Sequence, residues 1–292
     1  MKGAVDSGGK KGRFAPYGLL SPGVIWLILF FMVPVLTLVQ MSLSDRPDRF
    51  RPSDLNFSWD FANYGDALSQ FSEQFGRSFV YAGVATLLCI AIGYPLAYVI
   101  AFRGGRFKNL LLGLVVIPFF TTYLIRTIAW KTILGDEGEV VALMRDLGLL
   151  GPTQGLLATP GAVIGGLTYN FLPFMVLPIY VSLEKIDRDL VAAANDLYST
   201  PARAFRKVVL PLSLPGVFAG SLLTFIPASG DFINSEFLGS PKTAMIGNVV
   251  QNQFLVQLDY PTAAALSITL MVIITVFVFV YAKFLGTEDL TG

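Results

Sequence analysis

"LLSPGVIWLILFFMVPVLTLVQM", residues 19–41, runs for 23 residues without a charge. As a helix rising 1.5 Å per residue it is long enough to cross about 30 Å of hydrocarbon. Five more apolar runs of similar length follow, at 79–101, 109–130, 160–182, 209–228 and 263–285. Composition agrees: of 292 residues 54% are hydrophobic and 14% charged, against about 25% charged in a soluble domain. The chain reads as an all-α membrane protein with six transmembrane helices. Pro211, Pro215 and Pro227 interrupt the fifth run. Such a segment belongs inside a bundle, where neighbouring helices or water serve the carbonyls that proline leaves free.

Lys2, Lys10, Lys11 and Arg13 precede the first run in the manner of a signal peptide. That run is long, however, and ends in "QMSLSD" with no small-residue cleavage site, so it is read as a retained span. Charge sets the orientation. With both ends on one side, that side comprises the tails 1–18 and 286–292 and the loops 102–108 and 183–208. Together with Lys283 it carries thirteen basic residues, against seven on the other side. The positive-inside rule then places both termini in the cytoplasm. The segment 42–78 becomes an extracytoplasmic loop expected to fold over the bundle mouth. The remaining five helices, 79–285, form a core around the cytoplasmic loop 183–208. The opposite face carries thirteen acids, a setting that favours cationic solutes.

Several chemistries are excluded. There is no histidine and one cysteine, Cys89, inside an apolar run. Imidazole metal sites, haem ligation, His-based triads and a disulfide framework are therefore not expected. "GSPKTAMIG" (239–247) lacks the phosphate-loop spacing, so no ATP site is expected in this chain. Asp136, Glu137 and Glu139 stand without a nucleophile and read as a loop. No catalytic or metal-ligating residue is assigned, and a net charge of +1 gives no pointer to nucleic acid. In 139–150, Val140, Val141, Met144 and Leu147 fall at helical spacing, which predicts a short interfacial helix.

The loop 183–208 is the most informative segment. "DRDLVAAANDL" consists of good helix formers, with Asp187 or Asp189 placed to cap it. "STP" follows, where Ser199 or Thr200 is a cap and Pro201 suits a first turn. "ARAFRKVV" continues with basic residues near the end of the helix. Two short helices meeting near Tyr198–Pro201 are expected, presenting a surface for a docking partner.

This spacing resembles the cytoplasmic signature of permease subunits of binding-protein-dependent ABC importers: Glu-Ala-Ala, three residues, Gly, nine residues, then Ile-x-Leu-Pro. Here Ala192-Ala193-Ala194, three residues, Tyr198, nine residues and Val208-Val209-Leu210-Pro211 occupy those positions. Ala192 replaces the glutamate and Tyr198 the glycine that usually permits the bend. Three further stretches are similar to spermidine/putrescine importer permeases: 19–36, "IPFFTTYLIRTIAWKTILGDEG" (117–138) and "SGDFINSEFLGSPKTAMIGNVVQNQF" (229–254). The resemblance implies a type I ABC importer permease-like bundle in a bacterial inner membrane, without enzymatic activity of its own. It implies a dimer of ATPase subunits carrying the ATP and Mg, a second permease completing a heterodimer, and an extracytoplasmic binding protein delivering polyamine. No cofactor is bound by this chain itself. The implied coupling contacts are Ala192, Ala193, Ala194, Asp196, Tyr198, Pro201, Arg203, Arg206, Lys207, Leu210 and Pro211.

For the substrate path, Asp231 and Glu236 sit where the fifth span emerges. Carboxylates at a pore mouth attract a di- or tri-cation, and Phe232 and Phe237 offer cation–π contact. A solvated turn or a docking surface accounts for the same residues. Arg126, near the outer end of the third span, is a path residue, an interfacial anchor or a partner for Asp231 or Glu236. Cargo alternatives within the class are an organophosphonate, ferric ion or sulfate. A secondary transporter working alone is the rival from another class, and the near absence of mid-membrane charges weighs against it.

Overall fold

The computed structural model describes residues 15–45, 56–151, 153–198 and 200–285. These are helical almost throughout. In hydrocarbon no water meets the N–H and C=O groups, and a helix satisfies them within one segment. Helix α1 spans Leu20–Ser42 and α2 Ala62–Arg103. Next come α3 (Lys108–Val116), α4 (Tyr123–Leu134) and α5 (Glu139–Asp146). They are followed by α6 (Pro160–Glu184), α7 (Arg188–Tyr198) and α8 (Pro201–Ser229). The chain closes with α9 (Ile233–Leu238), α10 (Ile246–Leu255) and α11 (Tyr260–Leu285). Among the described residues, α1, α2, α6, α8 and α11 are long and apolar enough to cross a membrane.

The expected third span, 109–130, is not one helix. The segments Gly105–Phe120 and Tyr123–Asp146 meet at a bend of 94°. Pro118 has no N–H to donate and initiates a 3-10 turn, Ile117–Phe120. Thr121 and Thr122 then run extended, with ψ of 138° and 144°. The expected loop 42–78 is also shorter than the sequence suggests, because α2 starts at Ala62 and continues across a kink at Phe71. The start of α2 is tied to the end of α1. Asn63 Nδ2 donates to the carbonyls of Ser42 and Ser44 at 3.1 and 2.9 Å, and Ser42 Oγ lies 2.6 Å from the Tyr64 hydroxyl. Residues 46–55 and both chain ends, 1–14 and 286–292, lie outside the described residues.

The prolines of the fifth span do not interrupt it. Helix α8 runs for 29 residues from Pro201 to Ser229, so the second of the two short helices expected in the cytoplasmic loop is the foot of this span. A proline ring collides with the carbonyl four residues earlier. For Pro211 that carbonyl belongs to Lys207, which lies in a widened π turn, Phe205–Val209, where the N–H of Leu210 reaches Phe205 O. The same device precedes Pro34, whose fourth predecessor Phe30 lies in the π turn Ile28–Met32. A wider turn relieves the collision without ending the helix.

Helices α2, α6 and α8 pack as the centre of the bundle. One core cluster joins Cys89, Ala97, Met175, Ile179, Leu183 and Val209, and another joins Ala82, Ala85, Val163, Leu167, Phe225 and Ala228. Lipid offers no hydrophobic drive between helices, so close approach of small residues carries the packing. Gly216 and Gly220 of α8 supply it. A Cβ on Gly216 would lie 2.6 Å from the carbonyl oxygen of Pro178, and one on Gly220 2.8 Å from Met175 Sδ. Gly216→Ala is expected to cost about 1–3 kcal/mol by overpacking. Gly113→Ala, where a Cβ meets nothing within 4 Å, is expected to be neutral. Thermal unfolding of the detergent-purified protein tests the pair, and equal melting temperatures would contradict the close contact.

Candidate functional site

At the end of α8 the chain turns at Gly230 and begins α9, which places Asp231 at the junction. Asp231 is 8% exposed. Its Oδ1 accepts the backbone N–H of Asn234 at 2.8 Å, and its Oδ2 accepts the Tyr123 hydroxyl at 2.5 Å. Asn234 Nδ2 donates to the same Tyr123 oxygen at 2.6 Å. From the middle of α6, Asn170 Nδ2 donates to Asn234 Oδ1 at 3.1 Å and to Thr127 Oγ1 at 3.3 Å. Helices α4, α6 and α9 thus converge on one buried polar chain around a single carboxylate. Burial pushes the Asp231 carboxyl above its ordinary range, while the hydrogen bonds from Tyr123 and Asn234 favour the ionised form.

Of the three readings of Arg126, the pairing with Asp231 or Glu236 is not formed among the described residues. Arg126 is also 8% exposed, and its Nε and Nη1 have no hydrogen-bond partner. Its guanidinium lies 5.0 Å from the Phe119 ring centroid and 5.6 Å from that of Tyr123. Tyr123, one turn earlier on α4, occupies Asp231 Oδ2, the acceptor that such a pairing would use. Glu236 is exposed and accepts from Asn248 Nδ2 at 3.1 Å. Phe232 is exposed just before that short helix, and the Phe237 ring receives the Lys131 ammonium at 5.8 Å. Of the five path residues proposed from sequence, Asp231 and Arg126 are therefore the buried ones. Tyr123, Thr127, Asn170 and Asn234 were not anticipated. The signal for Asn170 was available, an amide in the middle of an apolar run, where a polar side chain must find partners.

At the opposite end of α8 lies the cytoplasmic loop of the sequence reading. Asp187 Oδ1 accepts the Asp189 N–H at 2.9 Å and starts α7. Val191 packs toward the bundle and Ala194 is buried, whereas Leu190, Ala193 and Leu197 point outward at one-turn spacing. Ala192, Asp196, Pro201, Arg203, Arg206, Lys207 and Pro211 are exposed, and Leu210 is half-buried. Thr200 is the first cap of α8 and Pro201 fills its first turn, without a side-chain cap bond. Tyr198 closes α7 in helical backbone. Among the described residues the left-handed non-glycine positions are Trp59, Ala158 and Leu258, so no glycine-like conformation is needed at 198. Ser199 and the Tyr198 side chain lie outside the described residues. Phe205, at the foot of α8, packs edge-on against Tyr94 and Tyr98 of α2.

A cavity of about 770 Å³ lies between α6 and α8, lined by Phe174, Pro178, Ser182, Ile186, Pro215 and Leu223 among others. Leu190 of α7 also lines it, and Asp231 does not. Its walls are mostly apolar, with Lys185 and Asp187 among them.

Residues 90–285 match a family described as binding-protein-dependent transport system inner membrane component. The chain is 37% identical over 259 residues to the spermidine/putrescine transport system permease protein of Haemophilus influenzae, covering 88% of this chain and 90% of that protein. The protein of that description in Escherichia coli K12 is 38% identical over 257 residues, covering 88% and 92%. A crystal structure of a bacterial ABC transporter involved in the import of the acidic polysaccharide alginate superposes with a TM-score of 0.70 at 18% identity. That match covers 94% of this chain and 96% of the other. At that identity the likeness speaks for the fold.

The polar chain makes a direct prediction. Asn234→Ala removes one side-chain partner from Tyr123 and one from Asn170 inside the buried chain, at a cost of about 1–3 kcal/mol. Thr275→Ala, whose exposed hydroxyl bonds the Met271 carbonyl one turn back, should change stability by less than about 0.5 kcal/mol. A thermal-unfolding comparison in one detergent decides it, and a silent Asn234→Ala would mean the network is not formed.

Proposed function

The chain belongs to the inner membrane components of binding-protein-dependent transport systems, and on that premise we propose that it is the subunit through which polyamines cross the membrane. As a permease of an ABC importer it performs no covalent chemistry. The observation that carries the cargo assignment is Asp231, a buried carboxylate with no cationic partner among the described residues. A buried charge is retained where something compensates it, and an alkylammonium group does so with three donors on a compact cation. The relatives described as spermidine/putrescine permeases support the same class of cargo. Exposed Phe232 and Glu236 extend the site toward the outer mouth.

The partners follow from the two ends of α8. The outward stripe Leu190–Ala193–Leu197 beside Arg203 and Arg206 is an apolar seat edged with positive charge. We assign it to one of two ATPase subunits, which hold the ATP and Mg that this chain does not bind. That assignment puts both termini in the cytoplasm and Asp231 on the outer side, where a binding protein delivers cargo. A second, non-identical permease completes the path. Closure of the ATPase dimer pushes α7, and Val191, Ile186 and Phe205 pass the movement to α2 and α6. Helix α8, 29 residues and roughly 43 Å long, carries it to the Asp231 junction. The change is a rigid-body rocking of a bistable bundle.

Uptake of radiolabelled spermidine and putrescine by a strain lacking this chain and any redundant importer is expected to fall to background. Unchanged uptake would overturn the cargo assignment. Asp231→Asn should lower uptake at least about tenfold, equivalent to about 1.4 kcal/mol of cargo interaction. Because the folded-state pKa of Asp231 is raised, its carboxylate is protonated at a higher pH than an exposed one. Spermidine binding by the purified transporter should therefore weaken as pH falls, before ordinary carboxylates titrate, and the Asp231→Asn profile should be flat. Arg203→Glu with Arg206→Glu should reduce co-purification of the ATPase subunit. Full retention of the complex and of uptake would remove these arginines from the docking surface.

A further inference from the structure

Arg126 stands outside the hydrogen-bonded chain yet is as buried as Asp231, and two of its nitrogens have no acceptor. A buried cation without a partner is costly, and the faces of Phe119 and Tyr123 compensate only part of that cost while leaving those N–H groups unused. Asp231 is its counterpart, a buried anion held by neutral donors. Tyr123 touches both: its ring lies against the guanidinium and its hydroxyl donates to the carboxylate. Arg126 and Tyr123 are three residues apart on α4, hence on one face, so the unpaired cation and the unpaired anion are separated by one aromatic side chain.

We propose that Arg126 is an internal competitor for Asp231. It rests on the Phe119 and Tyr123 rings while an ammonium group of the cargo holds the carboxylate, and it takes the carboxylate when that ammonium leaves. This rests on the reading of Asp231 as a cargo contact. The carboxylate is then compensated in both states, first by the ammonium and then by the guanidinium. That matters in a low-dielectric site, where an uncompensated charge is expensive. Bending is the element that switches it. Phe119 precedes the 94° break and Arg126 follows it. A change of that angle moves Arg126 off the Phe119 ring without altering its spacing from Tyr123 within α4. An importer needs its cargo to leave and not rebind, and a tethered cation at high local concentration prevents return.

The test is equilibrium binding of radiolabelled spermidine to the complete transporter, purified through a tag on this chain and held in lipid nanodiscs. Arg126→Gln is expected to tighten binding about five-fold or more, the lower end of usual site-to-site coupling, and to slow uptake, since release loses its competitor. Phe119→Leu removes the resting place and is expected to weaken binding by a similar factor, which keeps the idea testable if Arg126→Gln does not assemble. In an Asp231→Asn background both effects should vanish. If Asp231→Asn weakens binding while Arg126→Gln leaves it unchanged or weaker, the competitor is overturned and the cargo contact stands. If Asp231→Asn binds spermidine normally, the cargo contact fails and the competitor with it. Loss of the second permease from the purified Arg126→Gln complex would mean that Arg126 meets an acceptor on that subunit, which also overturns the proposal.

Discussion

Helix α8 lies so close to α6 that at Gly216 the volume of one methyl group is already taken by the Pro178 carbonyl and Ser182. In a bilayer this kind of approach replaces the hydrophobic drive that water supplies to soluble cores. It fixes α8 against the centre of the bundle over the stretch where Pro211 and Pro215 would otherwise allow a hinge. A helix so held transmits displacement instead of absorbing it. The α7 surface at one end and the Asp231 junction at the other are therefore parts of one body.

The outer site is made from few charges and many neutral polar groups. Asp231 is served by a phenol and a backbone amide, and those are in turn served by Asn234, Asn170 and Thr127. Neutral donors stabilise the carboxylate without neutralising it, as the proposed cargo contact requires. A direct ion pair with Arg126 would have cancelled that attraction in every conformation. The break after Pro118 avoids it by starting a new helix at Tyr123, which brings the phenol to Asp231 first.

Much of the fold was legible in the sequence because hydrocarbon is an unforgiving solvent. The uncharged run 19–41 and the runs within 160–182 and 263–285 correspond to α1, α6 and α11 to within a few residues. The Ala-rich segment before Tyr198 is the helix α7, with Asp187 at its start. An error arose where a local signal has two physical outcomes. "IPFFTT" is apolar enough to be read through, yet its proline and the two extended threonines turn the chain through 94°. The fifth run was read as a proline-bearing span sheltered in the bundle, and α8 is that span, kept continuous by a π turn and close packing. Tyr198 stands where the family signature has a bend-permitting glycine, and it closes α7 in helical backbone.

By itself the sequence determined that this is a helical membrane protein, which side its basic residues favour, and where the helix between the fourth and fifth apolar runs lies. Each of those follows from the transfer free energy or charge of a contiguous segment, a property that needs no knowledge of neighbours. Only the tertiary structure decided that Tyr123, Asn170, Asn234 and Asp231 share one network and that Arg126 faces aromatic rings and not a carboxylate. Those residues are up to 111 positions apart. Which of them meet depends on a helix break and on a glycine contact between α6 and α8. Both are settled by how close two backbones can come, which no single segment encodes.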